Sequence, residues 1–251
     1  SFASTPSGAA WLAVNGTDLY WAENAVVAPR RKPRGVGAIT EVPHILAAGP
    51  ARIVVLTPEA VVWQTTKNIL GVSLTGTPPD AQALRFSGED PAPPVVGLIA
   101  FSDRIFWGQG STVFWCNTLT AVDGCASPAS TLVTALDDTA RRLAINDSYL
   151  FIGLANGQIV KTTTDAPEER PPFYAPTSPS VATSLLGMAA SSQALHWVSG
   201  GKGLYRKFAA DDASKTDVAE PLSPGNFTGL QVVKGIAYVL DQDDGQLYRY
   251  V

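Results

Sequence analysis

Leu19-Tyr20-Trp21, Val61-Val62-Trp63, Ile105-Phe106-Trp107, Leu150-Phe151-Ile152, Leu195-His196-Trp197 and Ala237-Tyr238-Val239 are six variants of one apolar triplet. Their third residues fall at 21, 63, 107, 152, 197 and 239, in steps of 42, 44, 45, 45 and 42, and a fixed period of this length marks a repeat architecture. Four of the six tryptophans occupy that third position. Ahead of each triplet stands a continuous apolar run: Trp11–Val14, Ile53–Leu56, Leu98–Phe101, Leu143–Ile145, Met188–Ala190 and Leu230–Val233. Unbroken apolar character predicts strands covered on both faces. Between run and triplet lie turn residues, among them Asn15-Gly16, Ser102-Asp103, Asn146-Asp147 and Lys234-Gly235, which bond their own backbone or tolerate positive φ.

A third strand follows each triplet, at Asn68–Leu74, Thr112–Cys116, Gln158–Thr162, Leu204–Phe208 and Gln246–Val251, and short outer strands are expected at His44–Ala47, Ala83–Phe86, Thr131–Thr134, Ser180–Ser184 and Asp217–Ala219. The first repeat departs here: the Pro-punctuated stretch Ala28–Arg34 reads as a longer loop before Val36–Thr40. Pro-rich connectors, Asp90–Pro94 and Arg170–Phe173, read as rigid surface loops. Six repeats of four antiparallel strands predict an all-β fold, a six-bladed β-propeller forming one domain over residues 1–251. The last repeat ends at its third strand, so Phe2–Thr5 is expected to complete the sixth blade and leave no open sheet edge.

At 251 residues, 45% hydrophobic and 16% charged against about 25% in soluble domains generally, the chain is expected to be mostly buried strand and short polar turn. A net charge of −4, with no basic face beyond one cluster, argues against nucleic acid as a partner. No apolar run approaches the roughly 18 residues needed to span a bilayer, and an opening at Ser1 fits a processed chain. Cys116 and Cys125, nine apart around Asp123-Gly124, suit either a disulfide in an oxidising compartment or two unrelated buried thiols.

Gly16-Thr17-Asp18-Leu19-Tyr20-Trp21, Asn156-Gly157-Gln158-Ile159-Val160-Lys161 and Gly245-Gln246-Leu247-Tyr248-Arg249 resemble the repeats of YWTD-like six-bladed propellers. The likeness is strongest to the bacterial secreted or envelope versions, which are related to NHL and TolB-type propellers. Phe114-Trp115-Cys116…Gly124-Cys125 is similar to a paired Cys and Gly-Cys of such proteins, and the resemblance implies an extracytoplasmic location. Where a YWTD repeat continues Trp-Thr-Asp, this chain has Trp21-Ala22-Glu23, Trp63-Gln64-Thr65, Trp107-Gly108-Gln109 and Trp197-Val198-Ser199, and Asp241 alone holds the acid. The resemblance therefore implies the architecture and not the receptors' way of binding.

Candidate sites are sparse. Arg30, Arg31, Lys32 and Arg34 concentrate four of the 18 cations within five positions, an electrostatic signature for an acidic protein, a polysaccharide or a lipid headgroup. Asp241, Asp243 and Asp244 before Gly245 resemble a fragment of a calcium loop but lack its alternation and distal Glu. His196 fills a triplet position held elsewhere by Tyr, Val or Phe and reads as interblade packing, and His44 opens an expected outer strand. The pairs ahead of the inner strands carry no carboxylate, unlike the metal site of lactonase-type propellers, although Glu23, Gln109, Asn156 and Asp241 reach the opposite turns. No Gly-x-Ser-x-Gly elbow, phosphate loop or aspartate box occurs. The expectation is a non-catalytic, extracytoplasmic scaffold for a protein or glycan partner, without cofactor unless calcium binds. A metal-dependent hydrolase or lyase is the alternative, and a lectin the third reading.

Overall fold

The computed structural model describes residues 9–23, 29–34, 37–42, 50–58, 60–65, 68–74, 84–85, 94–117, 130–164, 172–176, 185–200, 203–210, 219–241 and 243–251. Every described element is a strand, and the strands form six antiparallel sheets, one per repeat, in the arrangement of a six-bladed β-propeller. Blade 1 is β1 (Ala9–Val14), β2 (Asp18–Glu23), β3 (Arg30–Pro33) and β4 (Thr40–Glu41). Blade 2 is β5 (Ile53–Leu56), β6 (Ala60–Gln64), β7 (Ile69–Ser73) and β8 (Leu84–Arg85). Blade 3 is β9 (Val95–Phe101), β10 (Arg104–Gln109), β11 (Thr112–Asn117) and β12 (Ser130–Val133).

Blade 4 is β13 (Ala140–Ile145), β14 (Leu150–Leu154), β15 (Ile159–Thr162) and β16 (Pro172–Tyr174). Blade 5 is β17 (Leu185–Ala190), β18 (Ala194–Ser199), β19 (Gly203–Phe208) and β20 (Glu220–Ser223). Blade 6 has three described strands, β21 (Phe227–Val233), β22 (Ile236–Asp241) and β23 (Leu247–Tyr250). The proposed closing segment Phe2–Thr5 lies outside the described residues. The chain divides into two compact units, residues 1–109 with 114–131, and residues 110–113 with 132–251.

Within each unit the triplet explains the packing. Side chains alternate along a strand, so the middle residue of a triplet faces the following blade and its neighbours face the preceding one. Tyr20 and Ala22 of blade 1 pack with Val54, Val61 and Trp63 of blade 2, whereas Val62 packs with Leu98, Ile105 and Trp107 of blade 3. In the second unit Phe151 meets Leu185, Leu195 and Trp197, and Val198 meets Phe227, Ala237 and Val239. Polar side chains cross the same seams. Gln64 Nε2 donates to Val95 O at 2.6 Å, Arg142 Nε to Leu186 O at 3.1 Å and Asn146 Nδ2 to Ser191 O at 2.9 Å.

The inner strands begin about three residues earlier than their apolar runs suggest in blades 3 to 6. In each a β-bulge adds one residue, between Val96 and Ile99, Ala140 and Arg142, Leu185 and Gly187, and Phe227 and Gly229, and blade 1 has its own between Ala10 and Leu12. A bulge reverses the side-chain phase, so the pattern before it looks broken in sequence. The turn after each inner strand takes one of two forms. Asn15, Thr57, Asn146 and Ser191 accept hydrogen bonds from backbone N–H groups two or three residues on, whereas Ser102 and Lys234 adopt positive φ, 54° and 51°.

The outer strands differ most from expectation. The basic stretch is strand β3, not a loop: Trp21 pairs with Arg30 and Tyr20 with Arg31. The fourth strand of blade 1 is Thr40–Glu41, ahead of His44–Ala47, and that of blade 4 is Pro172–Tyr174, inside the connector read as loop. Ser180–Ser184 and His44–Ala47 lie outside the described residues, as does Cys125, while Cys116 is buried at the end of β11. Proline is tolerated where a strand's N–H has no ladder partner, and Pro33, Pro172 and Pro221 all sit on third or fourth strands.

Phe173 anchors one such strand. It is buried, 5.1 Å from the Phe151 ring, with Lys161 Nζ 5.3 Å and Lys207 Nζ 5.1 Å from its own centroid. Phe173→Leu keeps much of the apolar volume and removes both cation–π contacts, so it should cost about 1–2 kcal/mol. Urea unfolding checks this; a loss no larger than that of an exposed substitution would mean the lysines gain nothing from the ring.

Candidate functional site

The four cations of the sequence cluster lie along one strand and its exit. Period-2 alternation sends Arg30 and Lys32 to one face of β3 and Arg31 to the other. Arg31 reaches back across the ladder to Asp18, its Nε 2.9 Å from Oδ1 and its Nη2 3.1 Å from Oδ2, a two-point contact. The hydrogen bond from Arg31 is the main reason the Asp18 carboxyl lies below its usual range, against the opposing effect of burial, and the same bond raises Arg31. Asp18 also accepts from Thr17 Oγ1 at 2.7 Å. Its side chain is only 6% exposed, whereas that of Arg31 is 48% exposed.

Arg30 Nε lies 3.2 Å from Glu23 Oε2, and the other oxygen of Glu23 accepts Trp21 Nε1–H at 2.9 Å. The triplet tryptophan and the basic strand are thus tied through one buried carboxylate, which gives Glu23 a structural role. Lys32 Nζ approaches Pro33 O at 3.5 Å. Arg34 is exposed, its backbone N–H bonded to Thr17 O at 2.8 Å.

The acidic tip of blade 6 is engaged in its own hairpin. Asp241 Oδ1 accepts Asp243 N at 2.8 Å, Asp244 Oδ1 accepts Gln246 N at 2.8 Å, and Asn226 Nδ2 donates to Asp243 Oδ1 at 3.1 Å. Tyr248 Oη donates to Asp244 Oδ2 at 2.5 Å, which lowers the Asp244 carboxyl and raises the Tyr248 phenol. These bonds engage all three carboxylates with backbone N–H groups and with the Asn226 and Tyr248 side chains. Among the described residues no three His, Cys, Asp or Glu side chains form a group able to hold a metal ion. Asn156 is likewise occupied, accepting Gln158 N at 2.9 Å.

His196 is 2% exposed, as an interblade packing position requires. Its Nδ1 has no hydrogen-bond partner, and burial, with a smaller contribution from Arg206, lowers its pKa to about 4. The ring borders a cleft that also takes in Arg206, Phe208 and Lys234, residues that sequence reasoning passed over. The available signal was a polar ring in a column otherwise filled by Tyr, Val and Phe. His44 lies outside the described residues.

Repeat, sheet topology and interblade packing together define a β-propeller protein. Solved structures similar to this chain are also β-propellers, as the resemblance to YWTD-like and TolB-type repeats implied. One is the β-propeller domain of Myceliophteria thermophila Cps50 (Swd1), at 10% identity and a TM-score of 0.70 over 96% of this chain and 83% of that one. A second comes from a nidogen/laminin complex, at 12% identity and 0.61 over 85% and 80%. A third is BamB from Moraxella catarrhalis, at 9% identity and 0.54 over 96% and 82%. Likeness at these identities speaks of fold alone. No protein-family model matches the chain, and no curated protein matches it in sequence.

Proposed function

We propose that the chain is a non-catalytic binding scaffold working outside the cytoplasm, which meets an acidic protein or glycan partner through the third strand of blade 1. The observation that carries this reading is the Arg31–Asp18 pair. A buried carboxylate fixes a guanidinium whose side chain remains half exposed, so a cation is held ready on a rigid sheet, and preorganisation of this kind lowers the entropic cost of association. Arg34 extends the positive edge. The fold supports the reading, since propellers present loops and edges on a stiff frame, and one similar structure was solved as a nidogen/laminin complex. The same reading pairs Cys116 with Cys125 as a disulfide of an oxidising compartment and requires no cofactor.

The pairing dictates the test. Reversing Arg30 or Arg31 would leave Glu23 or Asp18 buried without its partner and confuse binding with folding. Lys32→Glu combined with Arg34→Glu leaves both pairs in place. This variant should bind immobilised polyglutamate or an immobilised acidic glycan about fivefold or more weakly at low salt, with its melting temperature little changed. Retention on only one of the two matrices tells protein from glycan. Equal binding by variant and parent on both would remove Lys32 and Arg34 from the proposal, and equal binding by Arg31→Lys, which keeps the charge and loses the two-point contact with Asp18, would remove Arg31.

A further inference from the structure

A cleft of about 250 Å³ opens between blades 5 and 6, on the side of the first two hairpin turns. Three elements build it. The turn from β17 to β18 supplies Ser192 and Gln193, β18 and β19 supply His196, Arg206 and Phe208, and the turn from β21 to β22 supplies Lys234. Among the described residues, two cations and no carboxylate line the space. Glu220 on the outer strand β20 holds the Arg206 guanidinium from behind, its Oε2 accepting Nε at 2.9 Å and Nη2 at 2.7 Å, so Lys234 is the cation that faces the space without a carboxylate beside it among the lining residues.

Two local features mark the cleft. Lys234 holds a left-handed turn position, φ 51°, where Gly or Asn would sit with less strain. Ser102 takes φ 54° in the same turn of blade 3, so the hairpin sets the backbone and the residue choice places a cation at the mouth. Phe208 is 43% exposed, with the Arg206 guanidinium 5.2 Å from its ring centroid, so apolar surface and positive charge lie side by side. Behind them the buried imidazole of His196 keeps an unbonded Nδ1 in a column where the other blades carry Tyr, Val or Phe. The volume falls below the roughly 300–1,000 Å³ of sites for drug-sized ligands and suits a single small molecule.

We propose that this cleft binds a small hydroxylated carboxylate of the sugar-acid class. Lys234 takes the carboxylate with the Glu220-held guanidinium of Arg206 beside it, Ser192 and Gln193 meet hydroxyls, and the C–H face of the ligand lies against Phe208. The site is on blades 5 and 6 and stands or falls independently of the basic strand of blade 1.

Titration of the intact protein with D-glucuronate, with D-glucose as the neutral control, tests it by calorimetry and by NMR of the imidazole of His196. Glucuronate should bind with roughly millimolar affinity, shift the His196 resonances and exceed glucose at least tenfold. Lys234→Asn removes the charge and keeps a residue at ease with positive φ. It should weaken glucuronate about tenfold with the melting temperature unchanged or raised. Ser192→Glu, which sets a carboxylate at the mouth, should weaken it similarly. A disaccharide ending in glucuronate distinguishes sources: tighter binding than the monosaccharide assigns the cleft to the end of an acidic glycan, and equal binding assigns it to the free acid. Equal responses to glucose and glucuronate, an unmoved affinity in Lys234→Asn, or shifts that leave His196 untouched would overturn the proposal.

Discussion

Gly203→Ala should unfold blade 5 or cost the protein more than about 3 kcal/mol. Gly203 opens β19 at φ +113°, in a region that residues with a Cβ rarely enter. The added carbon would lie 2.0 Å from Ser223 O and 2.8 Å from Pro224 Cα. Both are backbone atoms, at the last residue of β20 and the one after it, where Leu204 is opposite Ser223, so neither can rotate away as a side chain could. Relief would require separating β20 from its blade.

Gly235→Ala is the internal control. Its φ is +79° and no atom lies within 4 Å of the added carbon, so it carries the conformational penalty without the collision, about 1 kcal/mol. Urea unfolding followed by tryptophan fluorescence should separate the two by at least about 2 kcal/mol. Equal losses would mean that β19 and β20 do not approach as closely as the register states.

Gly203 shows what sequence could and could not disclose. Gly200-Gly201 marks a hairpin by composition alone, yet the atom that forbids a Cβ at 203 belongs to Ser223, twenty residues later, and only the fold joins them. The blades themselves were legible because the triplet is redundant: interblade packing demands bulk on both faces of the second strand, and Trp21, Trp63, Trp107 and Trp197 repeat that demand at one period. The bulges were illegible because an extra residue erases the alternation that would announce it. The basic strand misled for a different reason. A run of Arg, Lys and Pro looks like solvated loop until Asp18 and Glu23, themselves set by the first hairpin and the triplet strand, are seen to receive Arg31 and Arg30. Outer strands need few residues and tolerate proline, so composition places them poorly: Phe173 stands in a Pro-rich run that reads as loop, yet it is among the most deeply buried rings.

His196 should make the protein acid-sensitive in a window set by one ring. In the unfolded chain the imidazole titrates near 6.5, whereas in the fold burial lowers it to about 4. Folding therefore favours the neutral form. The associated stability is fully present above about pH 7, declines as the pH falls through 6.5, and is lost once the pH passes below the folded value near 4. The gap corresponds to roughly 3 kcal/mol. The charged groups around the ring act in both directions: Arg206 on β19 opposes the imidazolium, Glu220 on β20 favours it more weakly, and Lys234 adds a further cation from the neighbouring turn across the cleft. Asp18 loses stability in the same direction but at lower pH, since its lowered pKa places that loss below the usual carboxylate value of 3.8. His196→Phe installs the residue that blades 3 and 4 carry at this position, Phe106 and Phe151, and the adjoining cleft leaves room for the larger ring. Between pH 7.5 and 4.5 the parent should lose at least about 2 kcal/mol more than the variant in urea titrations, and the imidazole of His196 should titrate below that of a free histidine. Parallel declines in the two proteins would show that the ring is solvated in the fold, and with it the seam between blades 5 and 6.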